Sequence, residues 1–172
     1  VELFLVIIFQ CTAESSLVNF QHFHSLVLAL LFVFLAAFFS QLVSIGKVFL
    51  GTFLQKYRLV SIAGSHGKTT TTGMLASVMK EFGETGWLIG DGTGHLSQDT
   101  EYFCLESCEF RRHFLAYHPE YAIITNVEID HVDYFKDEAD YRSAYEQFIP
   151  NVSKAVVIYG EDEQARMLDF SG

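Results

Sequence analysis

The sequence predicts an α/β fold, a parallel sheet flanked by helices, preceded by an apolar helical segment. Three observations support this prediction. Short apolar runs rich in β-branched residues alternate with stretches of helical periodicity. A glycine loop joins the first of these runs to a helix, and polar residues follow several of the later runs. Such an alternation requires crossover connections, which make the strands parallel and bring ligands to their carboxyl ends.

The predicted elements follow one another from residue 53 onward. Residues 53–57 end a helix that leads into a strand over 59–63, and the glycine loop then opens a helix over 68–82. The apolar residues of that helix recur at helical spacing, namely Met74, Leu75, Val78, Met79 and Phe82. The other predicted strands cover 87–89, 101–105, 121–126 and 155–159, and the other predicted helices cover 111–117, 137–148 and 162–168.

The composition divides the chain into two parts. Its 172 residues have the length of about one domain. The net charge of −10 and the lack of a basic stripe exclude a nucleic-acid partner. Residues 1–54 hold only Glu2, Glu14 and Lys47 as charged residues, together with ten of the seventeen phenylalanines. We therefore predict an apolar, Phe-rich segment over 1–47 and a nucleotide-binding domain over 48–172.

The apolar segment contains 21 residues without a charge, Leu26–Gly46. A helix of this length crosses the hydrocarbon core of a bilayer, which is about 30 Å thick. No basic residue precedes the stretch, which argues against a secretory signal. Three interpretations stay open: a membrane helix, a buried core helix, and sequence translated in the wrong reading frame.

The three cysteines, Cys11, Cys104 and Cys108, form an odd set without zinc-ligand spacing. Reduced thiols are the better interpretation than a metal site at Cys104 and Cys108. We therefore expect a cytoplasmic protein, with membrane anchoring through residues 26–46 as the alternative.

The glycine loop is Gly64-Ser65-His66-Gly67-Lys68-Thr69, directly after the strand over 59–63. Glycines let backbone N–H groups surround phosphate oxygens, and a helix N-terminus adds partial positive charge. Lys68 is placed to reach the β- and γ-phosphates, and the Thr69 hydroxyl to ligate Mg²⁺. The pattern predicts a nucleoside-triphosphate site; a glycine turn that happens to precede a helix is the alternative.

Polar side chains follow two further predicted strands. Glu106 and Glu109 come after the strand over 101–105, and Asn126, Asp130 and His131 come after or at the end of the strand over 121–126. Carboxylates and an imidazole at neighbouring strand ends suit a divalent cation that bridges nucleotide and substrate. These residues are therefore candidate ligands, although such residues in loops often serve structure alone.

Five segments of the chain resemble the Mur ligase family in order and spacing, and within it the branch that adds L-alanine. They are Gly64–Gly73, Leu88–Gly94, Glu106–Phe114, His118–Asn126 and Asp130–Phe135. The resemblance covers residues 48–168 and implies the central ATP-binding domain of a three-domain enzyme of peptidoglycan synthesis. It implies ATP and Mg²⁺ as cofactors, and UDP-N-acetylmuramate and L-alanine as substrates of the complete enzyme.

The resemblance also implies a two-step reaction, in which a carboxylate attacks the γ-phosphate of ATP and an amine then displaces phosphate from the acyl phosphate. By matching motif it implies catalytic roles for Lys68 and His131. The implied nucleotide-binding residues are Gly64, Ser65, His66, Gly67, Lys68, Thr69, Thr70 and Asn126. The implied metal ligands are Thr69, Glu106 and His131, with Glu109 as the alternative carboxylate and Asp130 as a supporting residue.

The chain departs from the family pattern at both ends. The family places about a hundred residues and a glycine-rich turn before the loop, where this chain has 63 residues, and a further domain after the position of Gly172. We therefore expect this polypeptide alone to bind Mg·ATP weakly or not at all and not to ligate. The competing hypotheses are a folylpolyglutamate synthetase, a membrane-tethered nucleotide-binding module without ligase activity, and a non-functional remnant.

Overall fold

The computed structural model describes residues 18–171, and their side chains from residue 27 onward. The predictions that fall on residues 1–17, Cys11 among them, lie outside this range. The chain forms two compact units that divide between Val43 and Ser44. Helix α1, Val18–Leu54, confirms the predicted apolar helical segment.

The described part of the first unit is helical. Within α1, the most apolar stretch of Val27–Leu54 has a mean hydropathy of 2.4 and no buried residue. By length and composition alone, this helix could cross a membrane. Phe32, Phe34 and Phe39 are 66–74% exposed, so these side chains are not part of either core of the described chain.

The second unit contains a six-stranded sheet in the order β3-β2-β4-β1-β5-β6. The strands are β1 Arg58–Ala63, β2 Thr85–Leu88, β3 Gly94–His95, β4 Tyr102–Glu106, β5 Tyr121–Ile124 and β6 Ala155–Ile158. Five of them are parallel, which confirms the predicted sheet. The short antiparallel β3 beside β2 is an addition to the prediction.

Helices cover both faces of the sheet, and the side chains of β1 alternate between the two cores that result. Leu59 and Ala63 pack into the larger core, with helix α3, Glu138–Phe148, and the 3-10 helix Phe110–Ala116. Val60 and Ile62 pack into the smaller core on the other face, against helix α2. A short 3-10 helix Ile149–Asn151 follows α3, and helix α4, Glu163–Arg166, follows β6.

Helix α2, Lys68–Met79, is three residues shorter than predicted, and its buried face is shifted from the predicted one. Thr72 and Ala76 are its buried residues, and Leu75 and Met79 pack against the smaller core as predicted. Met74, Val78 and Phe82 are 56–71% exposed.

The register of the central strands brings the chemically active residues to one edge. Ala63 pairs with Ile124, and Ile62 pairs with Glu106, so β1, β4 and β5 end side by side. The glycine loop therefore leaves β1 between the residues that follow β4 and those that follow β5.

Candidate functional site

The glycine loop is held in place by residues that follow β5. The backbone N–H of Ser65 donates to Asn126 O (3.3 Å), and that of His66 donates to Asn126 Oδ1 (2.9 Å). The Thr125 hydroxyl donates to His66 O (2.6 Å). Gly64 and Gly67 have φ angles of 129° and 79°, in the region that favours glycine. The predicted loop residues Gly64–Lys68 thus lie together, with Asn126 as a structural partner of the loop.

Lys68 lies over this loop and pairs with a buried carboxylate. Its Nζ donates to Gly64 O and to Ser65 O (3.2 Å), and to Glu109 Oε1 (3.3 Å). The Glu109 side chain is fully buried, and that of Lys68 is 14% exposed. A buried carboxylate needs a compensating charge, so Lys68 stabilises Glu109 when no phosphate is present.

The Glu109 carboxylate can accept a further ligand. Its Oε2 lies 3.2 Å from Lys68 Nζ, yet it accepts no hydrogen bond of acceptable geometry from the described residues. One ligand atom each from Glu109, Asp130 and His131 lies within 4.8 Å of the others. Two carboxylates and an imidazole are donors that bind divalent cations. The orphaned oxygen and this donor set fit a divalent cation at the three residues.

His131 is held toward this cluster by its backbone. Its φ is 54°, which is uncommon for a residue other than glycine and costs about 1 kcal/mol. The His131 N–H donates to Asp130 Oδ1 (2.6 Å), and the imidazole lies 4.6 Å from the ring of Phe110. Its Nε2 is 3.9 Å from Glu109 Oε1 and 3.9 Å from Asp130 Oδ2. The backbone strain lies at the residue with a candidate ligand atom.

Glu106 occupies a different place from Glu109. Its Oε1 accepts from the Thr69 hydroxyl (3.2 Å) and its Oε2 accepts from the backbone N–H of Gly90 (2.7 Å). Glu106 and Thr69 therefore lie together, as the prediction of a shared cation requires, while His131 lies with Glu109. Thr70 is exposed on the first turn of α2.

A set of buried hydroxyls behind the loop was not predicted. Tyr141 of α3 places its hydroxyl 2.8 Å from Ser65 Oγ, 3.2 Å from Glu109 Oε1 and 3.1 Å from the Tyr145 hydroxyl. Burial raises the pKa of Tyr141 above its ordinary value and that of Tyr145 well above it, so both stay protonated. The sequence signal was two tyrosines four residues apart on the buried face of one helix.

A cavity of about 440 Å³ opens beside the loop, at the carboxyl ends of β5 and β6. Residues from the loop after β5 and the segment after β6 line it, among them Thr125, Asn126, Tyr159 and Glu163. Asn126 thus lies between the glycine loop and this cavity.

Comparison with known proteins shows which family the chain matches. The family described as the Mur ligase middle domain matches residues 62–170. The UDP-N-acetylmuramate–L-alanine ligase of Lactiplantibacillus plantarum is 50% identical over 121 residues, which cover 70% of this chain and 28% of that protein. The ligase of the same name from Streptococcus equi subsp. zooepidemicus is 49% identical over 120 residues, covering 70% of this chain and 27% of that protein.

Comparison with solved structures also finds ligases whose names include UDP-N-acetylmuramate. UDP-N-acetylmuramate-alanine ligase from Thermotoga maritima gives a TM-score of 0.61 at 30% identity, covering 70% of this chain and 30% of that one. A UDP-N-acetylmuramate:L-alanyl-γ-D-glutamyl-meso-diaminopimelate ligase from Neisseria meningitides gives 0.63 at 27% identity, covering 70% of this chain and 45% of that one. The chain spans less than a third of the length of the curated relatives it matches.

Proposed function

Because the chain belongs to the Mur ligase family, through the middle domain of these ATP-dependent enzymes, we propose that it is the ATP-activating part of a ligase that joins L-alanine to UDP-N-acetylmuramate. The observation that carries the proposal is the Lys68–Glu109 pair, which lies between the glycine loop and His131. The curated relatives that are about 50% identical carry the name of this ligase.

The loop and Lys68 bind the phosphates. A carboxylate and a triphosphate repel each other, so the attack on the γ-phosphate needs positive charge at that point. The Lys68 ammonium exchanges its contacts with Gly64 O and Ser65 O for phosphate oxygens. The N–H groups at the start of α2 then face the same phosphates.

Glu109, His131 and Asp130 would hold one divalent cation, and Thr69 with Glu106 would hold another beside the glycine loop. When bound, Mg²⁺ neutralises charge on the phosphoryl group and on the attacking carboxylate. Of the two carboxylates that the sequence left open, we assign Glu109 to the His131 cation, because its Oε1 lies 3.9 Å from His131 Nε2, whereas Glu106 lies with Thr69.

The cavity beside Asn126 accommodates the nucleoside. It adjoins the loop through Thr125 and Asn126 and is large enough for a base and part of a ribose. This places the triphosphate along the carboxyl edge of the sheet, with the γ-phosphate toward Lys68 and His131.

Metal and nucleotide titrations of the 172-residue chain test the proposal. We expect weak binding, so Mn²⁺ as a Mg²⁺ substitute, followed by electron paramagnetic resonance, suits the measurement. Wild type should bind Mn²⁺ more tightly with ADP present, and the Glu109→Gln variant should bind it at least tenfold more weakly. The Glu81→Gln variant, an exposed carboxylate outside both the cluster and the cavity lining, is the control. Equal Mn²⁺ affinity in wild type and Glu109→Gln contradicts the assignment.

A second candidate function, a nucleotide-binding module tethered to a membrane, is favoured by α1. Residues 27–46 form a helix of about 30 Å, the thickness of a bilayer core. The basic residues Lys47, Lys56 and Arg58 follow this stretch, whereas no Lys or Arg precedes it. The positive-inside rule places the nucleotide site on the cytoplasmic side.

Carbonate extraction of membranes from cells that express the chain tests this tether. A tethered chain stays in the membrane pellet, and replacing Phe34 and Phe38 by Lys releases it. A wild-type chain recovered wholly in the carbonate supernatant excludes the tether and leaves the ATP-site proposal untouched.

A further inference from the structure

The buried hydroxyls behind the loop join the phosphate loop to the cation cluster. Ser65 Oγ donates to Glu128 O and accepts from the backbone N–H of Glu128 (2.9 Å). Tyr141 is 1% exposed, and its hydroxyl contacts both Ser65 Oγ and Glu109 Oε1. Tyr141 is thus a single group in contact with a loop residue and with a proposed metal ligand.

The number of protons does not match the number of contacts. Ser65, Tyr141 and Tyr145 carry one hydroxyl proton each. Four contacts need one: Ser65 with Glu128 O, Ser65 with Tyr141, Tyr141 with Glu109, and Tyr141 with Tyr145. With Glu109 as a carboxylate, the Tyr141 proton points either to Glu109 or to Ser65. One of these contacts is therefore always without a proton, unless Ser65 gives up its bond to Glu128.

We propose that Tyr141 is a positioning residue whose hydroxyl couples cation binding at Glu109 to the phosphate loop at Ser65. Without a cation, the Tyr141 proton lies on the Glu109 carboxylate, because a charged acceptor makes the stronger bond. A divalent cation bound to Glu109 neutralises the charge of that carboxylate, and the hydroxyl proton of Tyr141 then points to Ser65.

The consequence is a loop that is held more firmly when the cation is present. Ser65 then accepts from Tyr141 and from the N–H of Glu128 while it donates to Glu128 O, so its hydroxyl is fully used. The loop amides are fixed before the phosphates arrive, which reduces the entropy lost on binding. By reciprocity, phosphate binding strengthens cation binding by the same factor.

The inference rests on the proposed function, and the test measures coupling rather than affinity. For the full chain, Mn²⁺ affinity is measured with and without ADP, and ADP affinity with and without Mn²⁺. The variants are Tyr141→Phe and Tyr145→Phe, which remove one buried hydroxyl each from the same helix. Tyr145 is the comparison because its hydroxyl interacts with those of Tyr141 and Ser65, whereas the Tyr141 hydroxyl also donates to Glu109, so Tyr145→Phe leaves the Tyr141 contacts with Ser65 and Glu109 in place.

Tyr141→Phe should reduce the coupling factor about fivefold, the worth of one hydrogen bond, whereas Tyr145→Phe should leave it unchanged. Some coupling persists in Tyr141→Phe because the ADP phosphates contact the cation directly. A purely structural role would weaken both single affinities and leave their ratio constant, and this result overturns the inference. So does an equal loss of coupling in the two variants. A wild type that binds neither Mn²⁺ nor ADP overturns the proposed function and the inference together.

Discussion

At the scale of single residues, the central feature is a charge buried next to its partner. Glu109 has no exposed side-chain surface and Lys68 has 14%, so neither charge is well solvated. Removing one partner of such a pair leaves the other uncompensated, which usually costs more than the pair contributes. The two residues that we propose to bind the ligand therefore also affect stability.

The first prediction concerns this pair. Lys68→Met should lower the free energy of unfolding by about 3 kcal/mol, because Glu109 then lacks its cation. The double variant Lys68→Met with Glu109→Gln should recover part of this loss. Urea denaturation followed by circular dichroism measures both. Additive losses in the double variant would show that the two side chains act independently.

The second prediction concerns the two described cysteines. Burial raises the pKa of Cys104 to about 12 and raises the pKa of Cys108. Both thiols therefore stay protonated at pH 8, and only the thiolate reacts with iodoacetamide. Labelling should be slow, with Cys108 ahead of the fully buried Cys104, and it should accelerate as the pH rises toward each pKa. Peptide mass spectrometry measures the labelling of each cysteine. Fast labelling of both cysteines in urea is the control. Faster labelling of Cys104 than of Cys108 at pH 8 would contradict the structure.

Site residues were predictable where one residue type is tied to one chemistry. The glycine loop predicted Gly64, Gly67 and Lys68 as candidate site residues, because few other patterns follow a buried strand in this way. The choice between Glu106 and Glu109 was not accessible, since it depends on which side chain the turn after β4 directs inward. Tyr141 was not predicted for a related reason. A tyrosine on an amphipathic helix is usually interpreted as a core residue, and the partners of its hydroxyl, Ser65 and Glu109, lie in distant parts of the sequence.

At the scale of elements, the loop between β1 and α2 has two glycines with positive φ and different surroundings. A Cβ at Gly64 would lie 2.1 Å from Thr125 Oγ1 and 3.0 Å from Asn126 N, and its φ is 129°. A Cβ at Gly67 would meet no atom within 4 Å, so only its φ of 79° opposes a side chain. At Gly64 both close contacts and the φ angle oppose a side chain, whereas at Gly67 the φ angle alone does so.

The third prediction uses this difference. Gly67→Ala should cost about 1 kcal/mol of stability, the penalty of a left-handed conformation for an alanine. Gly64→Ala should cost more than twice that amount, because Thr125 and Asn126 must also move. Thermal unfolding of the two variants gives the comparison. Equal melting temperatures would mean that the loop adapts without disturbing the residues after β5.

The elements themselves were largely predictable, but their orientation was not. The strands with β-branched runs and helix α3 were predicted to within about two residues, and the structure adds Asp137 as the N-cap of α3. The apolar residues of α2 predicted a helix, yet Met74 and Val78 face solvent while Leu75 and Met79 pack against the smaller core. Two-residue β3 carries too little pattern for any periodicity to reveal it.

At the scale of the whole molecule, the two compact units differ in what surrounds their side chains. The described side chains of residues 27–43 are mostly exposed and apolar, whereas residues 44–171 enclose two cores on the two faces of one sheet. A contiguous exposed apolar surface drives association with membranes or with other chains.

The fourth prediction follows from this contrast. A chain that starts at Ser44 should stay monomeric at micromolar concentration in buffer, whereas the 172-residue chain should require detergent or lipid. Size-exclusion chromatography with light scattering distinguishes the two. Aggregation of the shorter chain would indicate that residues 44–171 do not form a stable unit without the preceding helix.

The sheet order has a consequence for how the ligand surface can grow. β6 lies at one end of the sheet, and among residues 18–171 no strand pairs with its outer side. Val157 on this strand is 57% exposed, and the row of backbone groups there is a template for another strand. A strand added in parallel would bring its own carboxyl end to the same edge as the glycine loop. It would extend the sheet edge at which we propose that the nucleotide binds, so the sheet could gain binding residues while the glycine loop stays unchanged.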